Sequence, residues 1–105
     1  MIDSRTIKKV VALLCKARPQ ATIILFGSRA RGDADSASDI DLLVVEPRVK
    51  SRRREMVYLS DLLRPLRVPV DILVVSRKTF TEWSQTPGTI IHRAASEGKI
   101  VYAAA

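Results

Sequence analysis

The order of apolar patterns along these 105 residues predicts an α/β fold, with helices packed on a small sheet. Three observations carry that expectation. A 3.6-residue apolar stripe opens the chain, three short β-branched runs follow it, and helical patterns separate or succeed those runs.

The stripe is Ile7, Val10, Val11, Leu14 and Cys15, the spacing of an amphipathic helix. Asp3 or Ser4 supplies its cap and Pro19 stops it. Ala21–Phe26 is a β-branched run ending at Gly27 and reads as a buried strand. A polar, turn-rich stretch covers Ser28–Ser38, beginning with a helical turn over Ser28–Arg31 and broken at Gly32. Asp39–Val45 starts with alternation and becomes continuously apolar, which makes it a second central strand.

Val57, Leu59, Leu62, Leu63 and Leu66 predict a helix over about 51–63, closed by Pro65. Pro69–Val75 is a third apolar strand, with a proline tolerated at its first position and Asp71 as its one charge. Thr79–Trp83 suggests a short helix. Pro87 stands as the first residue of a last helix carrying Ile90, Ile91, Ala94 and Ala95, with Gly98 as the stop. Lys99–Tyr102 adds an edge strand. The pattern leaves strand direction open. It contains no repeat or linker, so a single domain over residues 1–105 is expected.

Composition narrows the function classes. With 47% apolar residues the chain is globular, and no apolar run reaches the roughly 18 residues a bilayer span requires. It lacks a signal-peptide core, and its single cysteine excludes an internal disulfide. A cytoplasmic protein is expected, with no membrane partner. The formal charge of +7 favours an anionic ligand or partner. Residues 33–46 nevertheless hold five acidic groups and no basic one, while residues 48–67 hold seven basic groups. An acidic pocket in a basic protein needs a chemical reason.

That reason lies in Gly27-Ser28, ten residues, then Asp39-Ile40-Asp41, and thirty residues later Asp71. Side chains at i and i+2 of a strand share a face. Asp39 and Asp41 therefore point together, and Asp71 joins them if the third strand lies beside the second. Clustered carboxylates resist ionisation unless a cation compensates, and Mg²⁺ suits hard oxygen donors while keeping phosphate as a ligand. Gly27 and Ser28 end a strand at a helical turn, where backbone N–H groups point at an anion. Ser28 adds a hydroxyl, and Arg29 and Arg31 can pair with phosphate oxygens. Each piece has a plainer reading as a turn, a salt-bridged carboxylate or a strand-edge residue; their joint occurrence favours the chemical one. Two rival motifs fail. Asp33 and Ala34 stand where a P-loop requires Lys and Ser/Thr, and Ser38 and Val44 break an EF-hand loop.

The run Phe26-Gly27-Ser28-Arg29-Ala30-Arg31-Gly32, followed by Ser38-Asp39-Ile40-Asp41-Leu42-Leu43-Val44, resembles the signature of the DNA polymerase β-type nucleotidyltransferase superfamily. Within it the chain is most similar to the small prokaryotic minimal nucleotidyltransferases. The likeness extends to Val70-Asp71-Ile72 and to the stretch from Pro87 through Tyr102. It implies the nucleotidyltransferase fold with a mixed sheet, two Mg²⁺ ions and a nucleoside triphosphate donor, usually ATP. Asp39 and Asp41 would then bind both metals. Asp71 would bind the catalytic one and act as, or position, the base. The resemblance also implies a helical partner of the HEPN type, with this chain as antitoxin transferring AMP to the partner. Self-association is compatible with it.

The remaining singular residues are read conservatively. His92 is an exposed helix residue, Cys15 and Trp83 are core, and Arg52-Arg53-Arg54 is a solvated helix face. Three alternatives stand beside protein nucleotidylation: transfer to a small molecule or RNA end, a non-catalytic partner-binding module, and a basic nucleic-acid-binding domain. The last lacks an aromatic stacking set.

Overall fold

The computed structural model describes residues 4–32 and 39–103. The alternative cap Asp3, the acidic residues Asp33 and Asp35, and the end of the polar stretch at Ser38 lie outside the described residues.

Among the described residues ten elements follow one another. They are α1 (Ser4–Ala17), β1 (Thr22–Phe26), α2 (Ser28–Arg31), β2 (Ile40–Glu46), α3 (Arg52–Leu63), a 3-10 turn (Arg64–Leu66), β3 (Val70–Ser76), α4 (Arg77–Trp83), α5 (Ile90–Glu97) and β4 (Lys99–Tyr102). The strands form one mixed sheet in the order β3-β2-β1-β4. β1 runs antiparallel to β2 and β4, while β2 and β3 are parallel, joined by α3 as crossover.

Alternation along the strands splits the core in two. Ile40, Leu42 and Val44 of β2, with Ile23, Leu25, Ile72 and Val74, face a layer holding Val10 and Leu14 of α1 and Leu59 and Leu63 of α3. Leu43 and Val45, with Ile24, Phe26 and Val75, face Ile91 and Ala94 of α5. Helices thus cover both faces of the sheet. Asp41 and Asp71 continue the row of the second face, in line with Leu43 and Val45 and with Leu73 and Val75.

Several expectations shift. β1, β2 and β3 each begin one residue later than the apolar runs suggested, at Thr22, Ile40 and Val70. Val57 points to solvent at 56% exposure, so the inward side of α3 is carried by Leu59 and Leu63. Pro87 is not the first helical residue. The Thr89 side chain caps α5 by accepting the His92 backbone N–H at 3.1 Å, and Pro87 lies ahead of that cap. Trp83 is 48% exposed and outside the core, because α4 is one short helix whose Phe80 makes the core contact. His92 is half-buried, not exposed. Cys15 does pack against the core. Among the described residues no helix is long and apolar enough to cross a membrane.

A third cluster sits at the far end of β2. Arg18, just past α1, donates from Nε to Glu55 Oε2 at 2.6 Å and from an η nitrogen to Glu55 Oε1 at 3.0 Å. Its guanidinium also lies over the Tyr58 ring, 4.7 Å from the centroid. Glu46 is buried beside this pair, with Oε1 3.6 Å from Arg18 Nε and Oε2 without a hydrogen-bond partner among the described residues. Burial first, and then neighbouring Glu55, push the Glu46 carboxyl up to about 8. Glu55 is held below the ordinary range chiefly by the bond from Arg18.

Candidate active site

Two strand ends and one turn meet at the opposite end of β2. The parallel register sets Asp41 directly against Asp71, and the antiparallel register sets Asp41 against Phe26. The next residue, Gly27, therefore turns over the Asp41 side chain. Its φ of 77° and ψ of −157° fall in a region essentially reserved for glycine. Any Cβ there would collide with Asp41 Oδ2 and lie 3.2 Å from Asp41 Cγ. Glycine is thus needed twice over, for its backbone angle and for the space the carboxylate occupies.

α2 begins immediately after. Its hydrogen bonds run from Ala30 and Arg31 N–H to Gly27 C=O, both at 3.1 Å, and Ala30 anchors the turn in the core. Ser28 and Arg31 are thereby placed on the rim of an open cleft of about 550 Å³, within the range of small-ligand sites. Phe26, Gly27, Asp41, Asp71, Ile72 and Leu73 line its floor, and Ile90 and Arg93 of α5 form the other wall.

The electrostatics match the chemistry expected of such a site. Asp41 occupies a core row, and burial is the largest cause raising its carboxyl above the ordinary range. Asp71 and then Asp39 add to the shift, and Arg31 opposes it. Negative charge is concentrated where one cation would relieve it.

Of the residues proposed from sequence, the structure brings Gly27, Ser28, Arg31, Asp41 and Asp71 together on one cleft. Asp39 is exposed, one residue ahead of β2; it bears on Asp41 through its charge but does not line the cleft. Arg29 does not line it either. Among the described residues no three His, Cys, Asp or Glu side chains form a ready metal cage. The donor chemistry still fits Mg²⁺, which takes one or two carboxylates and completes its shell with water and substrate phosphate. Sequence reading missed Ile90 and Arg93, since only the docking of α5 on the sheet brings them to the carboxylates.

Comparison with known proteins gives the family and agrees with the fold. Residues 7–100 match the family model described as the nucleotidyltransferase domain. Among solved structures, a Sulfolobus solfataricus protein whose name assigns it to the nucleotidyltransferases superposes with a TM-score of 0.67 at 22% identity, over 94% of this chain and 78% of the other. A toxin–antitoxin structure with AMP-PNP gives 0.66 at 23% identity, over 91% and 72%. A tri-AMPylated Shewanella oneidensis HEPN toxin in complex with its MNT antitoxin gives 0.63 at 21%, over 97% and 73%. At these identities the likeness is one of fold. Among curated proteins none matches the sequence.

Proposed function

The chain belongs to the nucleotidyltransferase domain family, and on that premise we propose that it moves AMP from ATP onto a hydroxyl of a helical, HEPN-type partner protein. In this reading residues 1–105 are one minimal nucleotidyltransferase domain, acting in the cytoplasm as the antitoxin of a toxin–antitoxin pair. The observation that carries it is Asp41 in register with Asp71, in a cleft that Gly27 and Ser28 also line. The fold neighbours that pair an MNT antitoxin with an AMPylated HEPN toxin, or a toxin–antitoxin with AMP-PNP, support the choice of donor and acceptor.

In the reaction the acceptor oxygen attacks the α-phosphorus in line. The bond to the bridging oxygen breaks, and its electron pair leaves with pyrophosphate. Ser28, at the rim of the cleft, holds a phosphate through its hydroxyl, and Gly27 lets that phosphate approach the backbone closely. Arg31 and Arg29 add cationic contacts to its oxygens. Asp39, Asp41 and Asp71 would hold two Mg²⁺ ions, and such ions would supply neutralisation of the charge that develops on the transferred phosphate. Asp71, exposed at the cleft, accepts or steers the acceptor proton.

Incubating the chain with α-labelled ATP, Mg²⁺ and the protein encoded beside it tests this reading. Label is expected on the partner and absent with Asp39→Asn. Because Asp39 is exposed, that variant should unfold at the wild-type temperature. Transfer retained by Asp39→Asn would overturn the assignment.

A further inference from the structure

We propose that Arg93 is the residue that grips the outer phosphates of the nucleoside triphosphate, across the cleft from Ser28. The assignment rests on the nucleotidyltransferase reading and adds a contact to it.

Ile91 and Ala94 of α5 are buried at 8% and 1% exposure against β1 and β2. That docking turns Ile90, Arg93 and Glu97, at i, i+3 and i+7, onto one adjoining side of the helix. The first two line the cleft, and the third pairs with Arg31 at 3.7 Å. The two guanidinium groups of the cleft are therefore not equivalent. Arg31 already has a carboxylate, whereas the Arg93 side chain makes no hydrogen bond or ion pair with any described residue.

An uncommitted guanidinium lining the same cleft as two carboxylates suits a polyanion that arrives with its own metal. A planar fork of donors matches phosphate oxygens. The neutral acceptor hydroxyl has no use for a permanent cation at that place. In the transfer, the α-phosphorus gains the acceptor oxygen and loses the bridging oxygen, the acceptor proton passes to Asp71 or water, and the electron pair departs on pyrophosphate. Arg93 would bind the group on which that charge collects.

Calorimetric titration with α,β-methylene-ATP and with AMP, each in Mg²⁺, separates the outcomes for wild type, Arg93→Ala and Arg93→Lys. Arg93→Ala should weaken the triphosphate analogue by about 10–100-fold, the span of charge-assisted hydrogen bonds, and leave AMP within about twofold. Arg93→Lys should recover part of the loss. Undiminished analogue binding in Arg93→Ala would overturn the assignment alone. Equal loss for analogue and AMP would also overturn it, since a structural role predicts no such discrimination. A wild-type protein that binds neither nucleotide would instead overturn the nucleotidyltransferase reading beneath it.

Discussion

Replacing Gly27 with alanine tests the site through two separable costs. The first is in the backbone. With φ at 77° and ψ at −157°, a non-glycine residue carries strain on the order of 1–3 kcal/mol. For a domain of this size a loss of about 2 kcal/mol lowers the unfolding temperature by roughly 8–16 °C. The second cost falls on the chemistry. The new methyl would collide with Asp41 Oδ2 and lie 3.2 Å from Cγ, so the carboxylate must move. A displacement of about 1 Å at a reacting centre can cost about a hundredfold in rate. Gly88→Ala separates the two. Gly88 has a φ of 89°, and a Cβ there would meet nothing within 4 Å among the described residues. It should lose stability of the same order and keep its transfer rate. The assay is transfer from labelled ATP beside thermal unfolding for both variants. Gly27→Ala with wild-type transfer, or both variants losing transfer alike, would refute the claim that Gly27 reserves space for Asp41.

Two further outcomes follow from the core and its charges. Glu46, raised to about 8, binds a proton in the folded chain that its unfolded counterpart releases near the ordinary value of 4.5. Between those values the native state holds more protons, so stability should fall as pH rises. Glu55, lowered, acts oppositely and loses its stabilisation only as pH falls through its depressed value. Glu46→Gln mimics the protonated form. Urea unfolding should show a flatter profile from about pH 5 to about pH 8 and a gain on the order of 1–3 kcal/mol at the upper end; an unchanged slope would refute the buried proton. Leu43, fully buried in the layer that continues into Asp41, should cost about 2–5 kcal/mol as Leu43→Ala in the same assay.

The fold was legible in the sequence wherever apolar runs are continuous. The runs at Ala21–Phe26, Asp39–Val45 and Pro69–Val75 lie within one residue of β1, β2 and β3, since hydrophobic periodicity reports burial directly. The carboxylate pair was legible for the same reason, because an aspartate inside an apolar run stands out. What periodicity omits is pairing direction, so the Asp41–Asp71 register needed the structure. Local signals also competed. Pro87 suggested a helix start, but the Thr89 hydroxyl supplies the cap. Trp83 suggested core, yet in the short helix α4 it stays 48% exposed. Arg93 carried no signal at all, since a lone arginine on a helix reads as solvated until a neighbouring element faces it.

The strand order gives the two opposed aspartates unequal security. Asp41 belongs to β2, laced on both sides by β1 and β3, whereas Asp71 belongs to β3, the outermost strand. Marginal strands breathe at a lower free energy than interior ones. When β3 peels, Asp71 departs while Asp41 stays fixed beside Gly27. The centre therefore disassembles from one side, and any ligand bridging the two strands acts as a rivet on the seam between them.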